Sequence, residues 1–378
     1  MTATKKDPVV VILQLTGAND YLNTIIPYTN GHYYDNRPKV SIPQDQVLPI
    51  DDELAFNPNM GPFKKMYDDG KVAIIHGIGF ENSPRSHFRA MDIWHTCEPD
   101  VVGTEGWVAK VIRDLDPQGE NVLKGVNFGQ GLPRALALRG VPVTSVSNLE
   151  SYGVMSNVPG ITGEEDRARI LERFARMYAP AIGTGATMDY LGQTGRDALK
   201  GADILKTAPE KYTSTVEYAD NAIAKYLRDV VRVHTAELGT QIFYTAHGPF
   251  DTHFNQPPMH KKLWIEVSEA ISDFFDDLRE HDASDNVIMM IFTEFGRRVR
   301  DNGTGTDHGA GGGAFIIGDQ VKGGMYGTYP SLKPEDLNQG DLDPSYDFRG
   351  FYSSVVDQWL GLDPDPIVGG KFEQIQFV

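Results

Sequence analysis

The stretch Asp285-Asn286-Val287-Ile288-Met289-Met290-Ile291-Phe292-Thr293-Glu294-Phe295-Gly296-Arg297-Arg298 is followed by Asp301-Asn302-Gly303-Thr304-Gly305-Thr306-Asp307-His308-Gly309. An apolar run of strand length ends abruptly in a carboxylate, a glycine and two arginines. A Gly/Thr-rich loop then delivers an Asp-His pair before a second apolar run, Ala314-Phe315-Ile316-Ile317. A bare apolar run bounded by turn residues fits a strand buried on both faces, as in a parallel sheet. Ligands of open α/β sheets lie beyond the carboxyl ends of such strands, so Glu294, Asp307 and His308 are expected to share one crevice.

The same pattern recurs along the chain. Val9–Leu15 reads as a strand and stops at Thr16-Gly17-Ala18-Asn19-Asp20. Val72–Gly79 reads as another and leads to Asn82-Ser83-Pro84-Arg85-Ser86-His87-Phe88. Pro84 suits the first turn of a helix and Ser83 its N-cap, which would place Ser86 and His87 in that turn, where free N–H groups attract anions. A serine there, near a metal or a base, can serve as nucleophile. Gln241–Tyr244 is the next strand and ends in Thr245-Ala246-His247-Gly248-Pro249-Phe250-Asp251-Thr252-His253. One carboxylate and two imidazoles so close together suit zinc and related divalent ions, with Asp251 and His253 as ligands and His247 in reserve. Between the strands, Pro62–Gly70, Gly106–Ile112, Glu164–Tyr178, Pro209–Leu238 and Met259–Glu280 read as helices. Val321–Gly327 reads as turns, and Asp347-Phe348-Arg349 opens a final helix, Gly350–Leu360. Strand-length runs alternating with long helical patterns predict a three-layer α/β/α sandwich with a mainly parallel sheet. The chain is read as one domain, 1–378, with a helical or irregular insertion around 120–240.

Composition narrows the classes of partner. There are 35 basic and 52 acidic residues, a formal charge of −17. That disfavours nucleic-acid or anionic-membrane surfaces and leaves room for a local anion site. The single cysteine, Cys97, excludes an internal disulfide. No apolar run approaches the length of a membrane span. As written, the chain is expected in the cytoplasm; removal of a leader would make it an exported protein.

The order Asp20, Ser86, Asp251 with His253, Glu294, then His308 resembles the alkaline-phosphatase superfamily of phosphatases, sulfatases and cofactor-independent phosphoglycerate mutases. More specifically, the chain is similar to an uncharacterised bacterial family of that superfamily. This is a sulfatase-like domain of unknown function whose members often carry a twin-arginine export signal. The residues that carry the likeness include Gly17-Ala18-Asn19-Asp20, Ser86-His87-Phe88, Gly106-Trp107, Phe250-Asp251-Thr252-His253, Glu294-Phe295-Gly296-Arg297, Gly305-Thr306-Asp307-His308-Gly309, Gly323-Gly324-Met325-Tyr326-Gly327 and Asp347-Phe348-Arg349.

The resemblance implies an alkaline-phosphatase-like fold and one or two divalent ions. Zinc is the first choice, with manganese, magnesium and calcium as alternatives. It would place Asp251, His253 and His308 around one ion and Asp20, Ser86 and Glu294 around a second, with Asp307 orienting a ligand or coordinating. Phe295 stands where phosphatases carry a further His, and Glu294 replaces their aspartate, both of which weaken a second ion. The implied reaction is hydrolysis of a small anionic phosphate or sulfate ester, with Ser86 or a metal-activated water as nucleophile and Ser83 as rival. Arg297, or else Arg85 or Arg89, would fork the anion. The sulfatase modification signature is missing, since Cys97-Glu98-Pro99-Asp100-Val101 ends without its arginine. A catalytically silent metal- or anion-binding protein on the same scaffold is the alternative.

Overall fold

The computed structural model describes residues 6–150, 185–205 and 212–378, with isolated positions between 152 and 176 and residue 208. The strands, in chain order, are β1 (Val9–Leu15), β2 (Ile25–Ile26), β3 (Leu48–Pro49), β4 (Ala55–Phe56), β5 (Val72–Gly79), β6 (Gly125–Phe128), β7 (Thr144–Val146), β8 (Ile242–His247), β9 (Val287–Phe292), β10 (Arg297–Asp301), β11 (Thr306–His308), β12 (Gly312–Ile317), β13 (Gly324–Tyr326) and β14 (Tyr346–Asp347). The main sheet runs β13-β5-β12-β9-β1-β8-β6-β7, with β14 alongside β5. Strand β12 is antiparallel to both its neighbours, and the other pairings are parallel.

The apolar runs are continuous because both faces of these strands are covered. Along β1, Val9, Val11, Leu13 and Leu15 enter one core cluster, while Val10 and Ile12 enter the other. The first cluster takes Trp264, Ile271 and Phe274 from the helix Gln256–Glu280, and Leu227 and Val230 from the helix Ala222–Thr235. The second takes Ile93 and Trp94 from the helix His87–Thr96, Trp107 and Val111 from Trp107–Leu115, and Phe351 from Phe348–Ser354. Helices therefore flank a mainly parallel sheet, the three-layer α/β/α arrangement expected. Fully burying each of these aliphatic or aromatic side chains contributes about 1.5–3 kcal/mol. Among the described residues, no helix is long and apolar enough to cross a membrane.

Several elements differ from expectation. The segment 212–220 is not helical, and the helix read over Pro209–Leu238 spans only Ala222–Thr235. Tyr212 and Tyr218 both donate to Asp277 Oδ2, at 2.6 and 2.8 Å, and Thr215 N donates to Glu280, so this segment is strapped across the Gln256–Glu280 helix. Residues 324–326 are not a turn but strand β13, paired with Ala73–Ile75 of β5. The helix read over Gly350–Leu360 starts at Phe348, capped by the Asp347 side chain, and Val355–Trp359 continues as a π-type turn. Glu164–Tyr178 lies almost wholly outside the described residues.

Register decides where the functional loops end up. Leu15 of β1 pairs with His247 of β8, and Gln14 with Phe292 of β9. The loops starting at Thr16, Gly248 and Thr293 consequently leave the sheet at one edge. Strand β5 runs in the same direction and sends its loop to His87 from that edge. Strand β12 runs the other way, so the loop carrying Asp307 and His308 enters the sheet there.

Candidate metal centre

Four side chains from three of these loops converge. His308 Nε2 lies 2.9 Å from His87 Nε2, 2.8 Å from His253 Nε2 and 3.2 Å from Asp251 Oδ1. Asp251 Oδ1 is also 3.0 Å from His253 Nε2 and 3.5 Å from His87 Nε2. One ligand atom each from His87, Asp251 and His308 fall within 4.8 Å of one another. His253 adds a fourth donor through its contacts with His308 and Asp251.

The far side of each ring defines its protonation. His87 Nδ1 meets Glu294 Oε1 at 2.8 Å, His253 Nδ1 meets Asp307 Oδ1 at 3.1 Å, and His308 Nδ1 meets the Arg85 carbonyl at 2.9 Å. A carboxylate and a carbonyl can only accept, so each Nδ1 carries the proton and donates. In the neutral rings all three Nε2 atoms then present lone pairs toward one another and toward a carboxylate oxygen. Such a set repels itself unless protons or a cation stand among them. Imidazoles held through Nδ1 by carboxylates or carbonyls are also how proteins aim Nε2 at a metal.

Charge on Asp251 is well defined. Burial works against it, but the Arg297 guanidinium, 2.6 Å away, holds its carboxyl down at about 2. Glu294 is deeply buried, yet bonds from the His87 ring and the Gly17 N–H keep its carboxyl below the usual range. The Glu294 hydrogen bond in turn raises the His87 pKa. Gly17 is needed at this point: its φ is +102°, and a Cβ there would lie 2.5 Å from the Asp251 backbone nitrogen.

The residues expected at the site thus separate into groups. Asp251, His253 and His308 meet directly. Glu294 and Asp307 stand behind His87 and His253 and orient them. Asp20 lies elsewhere, fully buried against Arg37 at 2.6 Å; burial would raise its pKa, but Arg37 holds it lowered. Gln256 also donates to Asp20. Arg297 does not face outward. Its side chain is 0% exposed and donates to the carbonyls of Ala18, Thr306, Gly17 and Phe250 as well as to Asp251. His247 turns to Glu266 Oε2 at 3.1 Å. The helix after β5 begins at His87, with Ser86 rather than Ser83 at the N-cap and no side-chain cap bond. The Arg85 carbonyl, just before the cap, faces His308 Nδ1. Ser86 is exposed, one residue from the cluster.

His87 is the member that motif reading left without a role. The signal was present in the run Asn82-Ser83 to His87, a histidine where a strand's end meets a helix start. What the chain alone does not show is that His87 Nε2 points at His308 and not at solvent.

Beside the cluster lies a crevice of about 420 Å³, walled by Gly17, His87, Phe88, Met91, Arg134 and Pro249, with Asp251 and Glu294 also in its lining. Glu294→Gln and Asp307→Asn should leave the fold intact and weaken zinc binding by about 10–100-fold, because an amide can accept from or donate to Nδ1 and no longer fixes a ring's tautomer as an accept-only carboxylate does. Competition against a chromogenic chelator reads this directly, and unchanged affinity in both variants would contradict the orienting role.

Residues 190–366 match a family described as a protein of unknown function, DUF1501. That stretch holds Asp251, His253, Glu294, Asp307 and His308, whereas His87 precedes it. Solved structures similar to the chain include the following three. The PsFucS1 sulfatase from Pseudoalteromonas sp. is 12% identical, with 98% of this chain and 71% of that one covered and a TM-score of 0.43. A protein in the alkaline phosphatase superfamily from Vibrio parahaemolyticus is 10% identical, with 97% and 70% covered and a TM-score of 0.37. The wild-type alkaline phosphatase PafA is 9% identical, with 78% and 64% covered and a TM-score of 0.37. No curated protein matches the chain in sequence.

Proposed function

We propose that the protein is a hydrolase of small anionic phosphate or sulfate esters that depends on a divalent ion, zinc first, held by His87, Asp251, His253 and His308. The observation that carries the reading is the set of three imidazoles anchored through Nδ1, whose Nε2 atoms converge beside the Asp251 carboxylate. Neutral imidazole and carboxylate are the donors zinc prefers. An ion there would supply Lewis acidity toward an ester oxygen and lower the pKa of a hydroxyl or water. The motif order shared with the alkaline-phosphatase superfamily narrows the substrate to phosphate and sulfate esters.

The chain's own residues supply the remainder. Glu294 and Asp307 fix ring orientation and keep the Nδ1 protons in place. Arg297 locks Asp251 and ties its loop to Gly17 and Ala18, so the acceptor set is preorganised before substrate arrives. Ser86, at the N-cap of a helix whose first N–H groups are free, is the candidate nucleophile of the protein itself, with water as rival.

A purely structural ion is the competing reading, since four protein donors complete a closed tetrahedral zinc site. Against it, the Asp251 and His253 side chains are 38% and 39% exposed, and a crevice opens beside them. Purified protein assayed for metal and for turnover of aryl phosphates, phosphodiesters and sulfates separates the two. Bound zinc with no turnover on any ester would leave the structural reading. If Ser86 is the nucleophile, Ser86→Ala should cut kcat by at least about 10³-fold with metal retained; an unchanged kcat assigns the attack to water.

A further inference from the structure

We infer that the crevice beside the cluster takes an uncharged, apolar organic group, so that the ester the site accepts is amphipathic: an anionic head toward the histidines and an aryl or alkyl body along Phe88, Met91 and Pro249. The inference rests on the hydrolase reading above and adds the substrate class.

Three observations carry it. The crevice, about 420 Å³, is of a size that holds a small organic molecule, and its wall is continuous with His87, Asp251 and Glu294. Its polar groups are already engaged. Asp92 pairs with Arg134 at 2.6 Å and with Arg89, and Arg134 also donates to the Gly103 carbonyl. His95 Nε2 is bonded to Gln14 Oε1 at 3.0 Å and to Tyr244 at 3.2 Å, and burial holds its pKa down at about 4, so it is neutral. Thr16 Oγ1 donates to the His247 carbonyl. A polyhydroxylated substrate would lose its water hydrogen bonds here and find few replacements, which is costly. An apolar body loses nothing.

The third observation is the surroundings. Seven large apolar side chains stand out as exposed among the described residues, and among these seven it is Phe88 that lines the crevice. Phe88 is 92% exposed on the crevice wall, and Phe254 directly follows His253. An aromatic side chain left this exposed on the wall of a crevice is apolar surface that a bound organic group would cover. Phe88 also offers a rigid aromatic face at little entropic cost.

The test compares benzyl phosphate with glycerol 1-phosphate, and the corresponding sulfates, on the zinc-loaded full chain. The two leaving alcohols are of similar acidity, so the comparison reads the body of the ester. We expect kcat/KM to favour the benzyl ester by at least about tenfold. Phe88→Ala should remove most of that advantage through KM, with kcat and zinc content unchanged. Binding of phenylphosphonate against methylphosphonate, measured by calorimetry, keeps the test independent of turnover. If no ester is hydrolysed but phenylphosphonate binds more tightly in a Phe88-dependent way, the hydrolase reading falls and the apolar subsite stands. Equal kcat/KM for the two esters, a ratio untouched by Phe88→Ala, equal or absent phosphonate binding, or a Phe88→Ala change confined to oligomeric state would each overturn the inference.

Discussion

His308→Ala should yield a folded protein that retains less than about a tenth of an equivalent of zinc and loses ester hydrolysis by at least about 10³-fold. His308 Nε2 lies within 3.2 Å of all three of the other converging side chains, His87, His253 and Asp251. Its removal leaves two imidazoles and one carboxylate without the atom that lies among them. The fold should tolerate the change, because the ring is partly exposed and its loop is anchored independently. Asn302 donates to the His253 carbonyl and to Asp307, and Thr306 N donates to the Thr252 carbonyl. His87→Ala should behave alike, and that variant separates the present ligand set from one built on Asp251, His253 and His308 alone. Elemental analysis of dialysed protein, with thermal melts as control, decides the matter. Zinc held at the wild-type level in both variants would sink the assignment. Zinc lost only in His308→Ala would confine the site to three ligands.

How much of this was legible follows from which forces act locally. The strands β1, β5 and β9 were readable because each holds a run of at least four apolar residues, Val9–Leu13, Val72–Ile75 and Val287–Phe292, followed by turn chemistry. Their common edge followed from parallel pairing, and with it the meeting of Asp251, His253 and His308. The helix boundaries around residues 83–87 and 209–221 were not readable. There the backbone and side chains answer to distant partners, His308 in one case and Asp277 with Glu280 in the other. The roles of charged residues were the least legible. Asp20 and Glu294 both follow strands in similar surroundings. Burial beside Arg37 makes one a structural ion-pair partner, while a reachable ring, His87, makes the other an orienting group. No local pattern distinguishes these outcomes, because the deciding partner is far away in the chain.

Arg297 offers the sharpest contrast between the motif and the structure. An arginine three residues past a strand-end glutamate reads as a fork for a substrate anion. In the fold it is a buried brace between loops. Its donors go to the Ala18, Gly17, Thr306 and Phe250 carbonyls and to Asp251 Oδ1, so it links the loops after β1 and β8 to β11. Arg297→Met would leave several acceptors without partners in a dry interior and free the Asp251 carboxylate to turn. Breaking one side of such a buried charged network costs about 3–5 kcal/mol. In a chain of this size that corresponds to a fall in Tm on the order of 5 °C or more. Arg297→Lys should recover only part of the loss, because one ammonium cannot span acceptors arranged around a planar fork. Zinc affinity should fall in both variants as Asp251 loses its orientation. An anion-binding arginine predicts the opposite pattern: stability and zinc affinity at the wild-type level, with KM alone raised. Denaturant melts of zinc-free and zinc-loaded protein, run beside steady-state kinetics, distinguish these outcomes. A variant as stable as wild type would return Arg297 to the substrate.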